Sequence, residues 1–397
     1  MLILADALVS APDRILRPGH LRVSGRKIRE IGTDLQAEAG EEVLELPGLT
    51  LAPGFINLHA HLELASLHGR IRPGQPFTDW LRQLLVLLPG LHSTARTASI
   101  VESSRRAAET GTTTILTIVS DPGSLAGLAG TWPRIWWALE FMDLDEDPQP
   151  ARQMDRMTAW VSRHNGAEWN SAVSPHAPFT ASSGLYRECA RLAWELHIPF
   201  TTHWAESPEE KDLFDSGKGT LRSLLPKSWM AGQLSERLES FPPSSLVAHA
   251  NHLRMEELSR FKKSGCFVIH CPATHRWFDR EPFSLEKSLQ HGIPVILGTD
   301  SPASSDNRHF DLRVEAREFR RTHPSVSPPE IWAMLTTLPA RALGQAGRLG
   351  CLQAEAEADW VGWRLEASTE PVCAILESSE PAEIVSVAGR IYRPERI

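Results

Sequence analysis

The segment LAPGFINLHAHLEL carries His59 and His61 two positions apart, within a run that otherwise reads as a buried strand. Side chains at i and i+2 of a strand point the same way, so both imidazoles face one site. Two imidazoles on one face are half of an ordinary divalent-metal site. The pair alone is weak, because sixteen histidines in 397 residues produce on the order of one His-x-His by chance. Its weight comes from what lies downstream: SPHAPFT holds His176, THWAES holds His203 and Glu206, and VAHANHL holds His249 and His252. HCPATH follows with His270 and His275, and LGTDS with Asp300.

These residues close a series of short apolar runs that read as strands: 55–61, 113–119, 134–140, 171–177, 199–204, 245–250, 266–272 and 293–300. Amphipathic stretches lie between them, among them ARTASIVESSRRAAETG and SSGLYRECARLAWELH, the latter opening on Ser182 or Ser183 as N-cap. Eight strands alternating with helices predict a parallel sheet, and eight is the number that closes a (β/α)8 TIM barrel. An open doubly wound sheet is the alternative, but it would carry a Gly-rich phosphate loop after its first strand, and none is present. Barrel enzymes build their sites at the C-terminal ends of the strands. A lone histidine there reads as a core residue; polar, metal-binding types at six strand ends of eight read as a metal site.

The ends of the chain read differently. Residues 1–52 and 345–397 are short strands and turns, neither long enough for a good core by itself. The expected organisation is therefore a barrel over 53–344 and one small β-sandwich assembled from both termini. Hydrophobic content of 42% and charged content of 23% describe an ordinary globular chain. A net charge of −8 without a basic stripe argues against a nucleic-acid partner. No apolar run reaches the length of a membrane span, and MLILADALVSAPDR lacks the basic start of a signal peptide. Five cysteines with no C-x-x-C suit reduced thiols in a cytoplasm. A homodimer is compatible with these features.

His59, His61, His203 and Asp300 together make a three-imidazole, one-carboxylate set suited to one Zn²⁺ or Fe²⁺. A binuclear site needs a bridging carboxylate, commonly a carbamylated lysine near the fourth strand. No lysine occurs between Lys27 and Lys211; Glu140 is the available substitute, and one metal is the simpler reading. Such a site lowers the pKa of a water toward about 7. Asp300 can accept that water's proton, Glu206 can carry a proton to a substrate ring nitrogen, and His249 can polarise the water. His252 reads as structural.

At this point the residues resemble a family. PGFINLHAH, HWAE, VAHANHL, HCPATH and LGTDSPAS are similar to the amidohydrolase superfamily, in the branch of cytosine, guanine and S-adenosylhomocysteine deaminases and chlorohydrolases. The resemblance covers nearly the whole chain. It implies that His59, His61, His203 and Asp300 hold one divalent metal, that Glu206 shuttles protons and His249 lies beside the water, and that His176 contacts substrate. CPATHRWF in place of the common Ser-Asn pattern, with HLELASLHGRIRPGQPFTDWL, looks most like aminodeoxyfutalosine deaminases. That implies a substrate with an adenine ring, a ribose and a benzoate tail. Glu63, Trp80 and His275 are then candidate substrate contacts, and Trp277, Arg70, Arg72, Arg276 and Arg280 candidates for an aromatic surface and a tail-binding cation. The expected reaction is hydrolytic deamination of an aminopurine or nucleoside, with aminodeoxyfutalosine the first choice. Other aminopurine deaminations, dechlorination or amide hydrolysis are alternatives on the same scaffold, since fold and metal do not fix the leaving group. Residues 207–241 are a candidate lid.

Overall fold

The structure, a computed structural model, describes residues 1–394 except 126–127, 129–131, 145–149, 164–169, 228, 230–233 and 367–369. Its centre is two four-stranded parallel sheets. The first runs Phe55–Ala60, Thr112–Val119, Arg134–Phe141, Asn170–Pro175; the second runs Thr201–Trp204, Leu246–His249, Phe267–His270, Val295–Leu297. The strands follow chain order in both sheets. Nearly every strand residue is buried, as expected for parallel strands covered on both faces.

Single parallel bridges join the sheets at both seams. Val173 pairs with Phe200, and Ala60 pairs with Asp300. At the second seam the amides of Thr299 and Asp300 both donate to the His59 carbonyl (3.1 and 3.0 Å), and His61 N–H donates to the Asp300 carbonyl (3.2 Å). An apolar cluster including Ile56, Leu58, Leu116, Ile118, Ile269 and Ile296 draws on strands of both sheets.

The sequence expectation for 293–300 was a single strand. The observed strand stops at Leu297, because Gly298 packs against the opposite seam and Asp300 turns left-handed at φ +55°. A Cβ on Gly298 would sit 2.7 Å from Ile269 Cγ2 and 3.1 Å from His59 Cβ, so only glycine lets this strand approach His59.

The helices cover the sheets outside. Ser183–Leu196 illustrates the local logic: Ser182 is the N-cap, its Oγ accepting from the Leu185 amide. Asp143 holds that serine in turn through its backbone N–H (2.7 Å) and Oγ (2.6 Å). Leu185, Tyr186, Cys189, Ala190 and Ala193 form the buried face, and His197 ends the helix in the left-handed region.

Both chain ends enter one eight-stranded sheet. Val43–Pro53 lies at its middle, parallel to Leu2–Ala11 and antiparallel to Trp360–Arg364, and Ile384–Val387 and Arg390–Tyr392 extend the far side. Only Gly54 separates that central strand from the strand bearing His59. The terminal sheet and the site-bearing strand are thus mechanically continuous.

Candidate functional site

Strand ends bring His59, His61, His203, His249 and Asp300 together at one mouth of the paired sheets. Asp300 Oδ1 lies 3.4 Å from His59 Nε2 and 3.5 Å from His61 Nε2. His61 Nε2 and His203 Nε2 face each other at 3.3 Å. His203 Nδ1–H donates to the His176 carbonyl (3.0 Å), which leaves its Nε2 lone pair directed at the cluster. Both ring nitrogens of His59 are buried without a hydrogen-bond partner. Buried polar atoms normally have partners, so these observations fit a cation held at the centre. Burial first, and then the neighbouring imidazoles, hold His203 well below its usual range; burial takes His61 down to about 3. Neutral imidazoles are the form that ligates metal.

Among the described residues, three groups of potential ligands have their atoms within 4.8 Å of one another: His59–His61–Asp300, His59–His203–His249 and Glu140–His176–His203. Thr274 Oγ1 donates to Asp300 Oδ2 (2.9 Å), with Ser304 Oγ at 3.3 Å from the same oxygen. Asp300 and His249 both have positive φ (+55° and +68°); such non-glycine conformations are costly and concentrate at functional sites.

Glu206 lies across from this cluster. Its Oε2 is 3.7 Å from His249 Nε2, and its Oε1 is 3.4 Å from Arg280 Nη2. Its backbone is pinned: the amide donates to Glu210 Oε2 (2.8 Å) and the carbonyl accepts from Asn251 Nδ2 (2.9 Å). Burial pushes its carboxyl up to about 8, against the pull of Arg280.

A cavity of about 680 Å³ opens above these groups. His61, Glu63, His176, His203, Glu206 and Asp300 are among its polar lining, together with Glu140. Glu63 is held by Arg96 Nη1 (2.8 Å), Ser120 Oγ (2.5 Å) and Ser120 N–H (3.1 Å), all on Oε1. Its Oε2 is buried without a partner. His176 Nδ1 lies 2.6 Å from Thr180 Oγ1. Trp80 contributes a ring to the wall, its Nε1–H already donated to the Ala303 carbonyl (3.0 Å). The 207–241 segment supplies wall residues Leu221, Leu224 and Leu225.

Several sequence expectations need correction. His275 does not line the cavity: its Nε2 bonds the Glu281 carbonyl and its ring packs on His270 (5.2 Å). Trp277 is buried in the apolar cluster behind the wall. Arg70 and Arg72 are exposed, and Arg276 pairs with Asp306 and Glu318. Arg280 turns inward, over the Phe278 ring (4.4 Å) and against Glu206. Its partner was invisible in sequence, because the two residues lie on different strand-end loops.

Imidazoles and one carboxylate at the C-terminal ends of four of the eight parallel strands form a group that could hold a metal ion. The sequence pattern of the amidohydrolase family matches residues 50–390, and the chain belongs to that family, hydrolases acting on carbon–nitrogen bonds other than peptide bonds. It is 26% identical over 339 residues to a 5-methylthioadenosine/S-adenosylhomocysteine deaminase of Pyrococcus furiosus, covering 80% of this chain and 75% of that one. In structure it is similar to Helicobacter pylori aminofutalosine deaminase in complex with methylthio-coformycin, at TM-score 0.87 and 20% identity over 98% and 99% of the two chains. It is also similar to atrazine chlorohydrolase from Arthrobacter aurescens complexed with zinc, at TM-score 0.81 and 20% identity over 98% and 94%. Among the described residues no single helix is long and apolar enough to cross a membrane.

Proposed function

We propose that this chain is a metal-dependent deaminase of aminopurine nucleosides, acting in the cytoplasm, with its eight parallel strands working as one (β/α)8 barrel. The observation that carries the reading is the set of imidazole and carboxylate atoms converging at the floor of an otherwise apolar cavity, with Glu206 on the opposite side. His59, His61, His203 and Asp300 would hold one divalent ion, Zn²⁺ before Fe²⁺. A bound ion supplies Lewis acidity that lowers the pKa of water toward about 7.

The chain's own residues then have distinct tasks. Asp300 accepts the proton of the attacking water, and His249 hydrogen-bonds and orients that water. Glu206 delivers a proton to the ring nitrogen beside the carbon that carries the amine. A C–O bond forms, the proton held on Asp300 passes to the amine, the C–N bond breaks and ammonia leaves, and the remaining proton of the new hydroxyl returns to Glu206. His176 and Glu63 Oε2 are the polar contacts for the nucleoside; the unpartnered Glu63 oxygen suits a ribose hydroxyl. Trp80 offers an apolar surface for the ring.

Aminodeoxyfutalosine belongs in the substrate panel as the compound the sequence motifs suggest. Its benzoate calls for a cation, and among the described residues the cavity lining includes no lysine or arginine, so the supported reading stops at aminopurine nucleosides. The direct test is ammonia release across aminopurine bases and nucleosides with metal-replete protein. Turnover of at least one nucleoside is expected; a protein carrying about one equivalent of metal that releases ammonia from none of them would overturn the reading.

A further inference from the structure

Behind Glu206 lies a second, smaller cavity of about 270 Å³. It is separate from the substrate space, and Phe77 is the residue that lines both. Arg280 connects the two: its Nη2 lies 3.4 Å from Oε1 of Glu206, which lines the substrate cavity, while Arg280 itself lines the second. Its side chain is 6% exposed, and the guanidinium lies over the Phe278 ring (4.4 Å). With Nη2 committed to Glu206, Nη1 is left buried without a hydrogen-bond partner. His252, on the wall of the same cavity, likewise has a buried Nε2 without one. Buried polar atoms are normally paired, so two donor-capable nitrogens of one cavity stand unmet.

The charge on Arg280 points to what meets them. Among the described residues Glu206 is the one carboxylate within ion-pair distance of it. In the deamination cycle Glu206 starts with the proton it delivers and ends with the proton it recovers. In both states the guanidinium is a buried cation beside a neutral acid, a costly arrangement unless an anion sits against it. Burial, and then the positive field of Arg280, take His252 down to about 4. Its imidazole is therefore neutral near pH 7, and offers a hydrogen bond from Nε2–H rather than a second charge. One guanidinium and one neutral imidazole suit a single negative charge. Glu209, Asp279 and Glu281 also line the cavity, the last two exposed. Salt screens such carboxylates, yet they oppose a dianion more than a monoanion.

Resting on the deaminase reading, we propose that the cavity walled by His252 and Arg280 is a site for a small monovalent anion, of the chemistry of chloride or formate, that supports Glu206 from behind. The anion accepts hydrogen bonds from Arg280 Nη1 and His252 Nε2. Glu206 can then keep its proton without leaving Arg280 as an unpaired buried charge. The site lies outside the substrate space, so the anion does not compete with the nucleoside. Its effect falls on kcat rather than on KM.

The test takes metal-replete protein in sodium PIPES, a bulky disulfonate as reference anion, and titrates in sodium chloride or sodium formate at constant ionic strength. Two readouts run side by side: the thermal midpoint without substrate, and kcat and KM for ammonia release from the best nucleoside. Expected are a saturable rise in midpoint and a rise in kcat of about tenfold, the scale of one hydrogen bond to a charged group, with KM nearly constant. His252→Phe and Arg280→Met, each compared with itself in PIPES, should lose both responses, and sodium sulfate should produce neither in the parent. A parent indifferent to chloride and formate overturns the anion site, as do responses that persist in either variant, or sulfate matching chloride. Ammonia from no nucleoside overturns the deaminase reading itself, while the midpoint still reports whether the anion binds.

Discussion

Replacing Glu206 with glutamine isolates proton transfer from everything else the residue does. The amide is nearly isosteric and keeps a carbonyl oxygen for Arg280, which lies 3.4 Å from Glu206 Oε1. The backbone at 206 is fixed by Glu210 and Asn251 whatever the side chain is. Burial already pushes the carboxyl up to about 8, so folding gives up little when the ionisable group is removed. The stability change should fall within the ~0.5 kcal/mol typical of a benign substitution. Catalysis should respond very differently. A positioned general acid–base contributes about 10²–10⁴ in rate, and at 1.36 kcal/mol per tenfold this is about 2.7–5.4 kcal/mol on the barrier. Steady-state ammonia release with the best nucleoside, elemental analysis and a denaturant melt, all on one preparation of Glu206→Gln, provide the assay. The expected outcome is unchanged metal content and midpoint with kcat/KM down at least a hundredfold. A variant that keeps its metal and works within tenfold of the parent would refute Glu206 as the proton carrier.

Other consequences can be checked separately. Arg280→Met removes the cation beside Glu206 and should lower kcat by about 10–100-fold, the scale of a buried charged hydrogen bond, with KM moving less and Arg280→Lys recovering part of the loss; equal kcat in all three would show that Arg280 does not position Glu206. Elemental analysis should find about one equivalent of divalent metal, falling below half in His61→Ala; two equivalents, dropping to one in Glu140→Gln, would show the Glu140–His176–His203 group to be a second site. Gly298→Ala forces a methyl to within 2.7 Å of Ile269 and should cost about 1–3 kcal/mol in a denaturant melt; an unchanged midpoint would remove the steric account of that seam. Burial raises Glu210 to about 7 and Glu315 to about 8, above about 4.3 unfolded, so their stabilising contribution is full below the unfolded value and lost as pH rises through 7–8. Burial lowers His176, His252 and His275 to about 4, below about 6.5 unfolded, so their contribution is lost as pH falls below 6.5. The melting temperature should therefore peak near pH 6.5–7, and a melting curve still rising from pH 7 to 9 would contradict this balance.

The sequence by itself determined which residues are the candidates for the chemistry and the order in which they come. Strand periodicity is local, so His59 and His61 had to share a face, and apolar runs ending in polar residues marked where each strand stops. The alternation of strands and helices was legible for the same reason, with errors at the ends: the run 293–300 is strand only over Val295–Leu297.

What sequence could not decide was how loops from distant strands meet. Arg280 and His275 stand beside recognisable motifs, yet one turns in to Glu206 and the other bonds a carbonyl away from the cavity. Packing of the Phe278 and His270 rings sets those directions, and no local pattern encodes it. The seam that brings Asp300 to His59 likewise depends on Gly298 passing close to a strand far away in the chain. The make-up of the cavity is also a tertiary property. Leu84 and Leu225 lie far apart in the chain; only folding brings them to the same cavity wall. Local periodicity fixes which way a side chain points, and packing alone fixes what it points at.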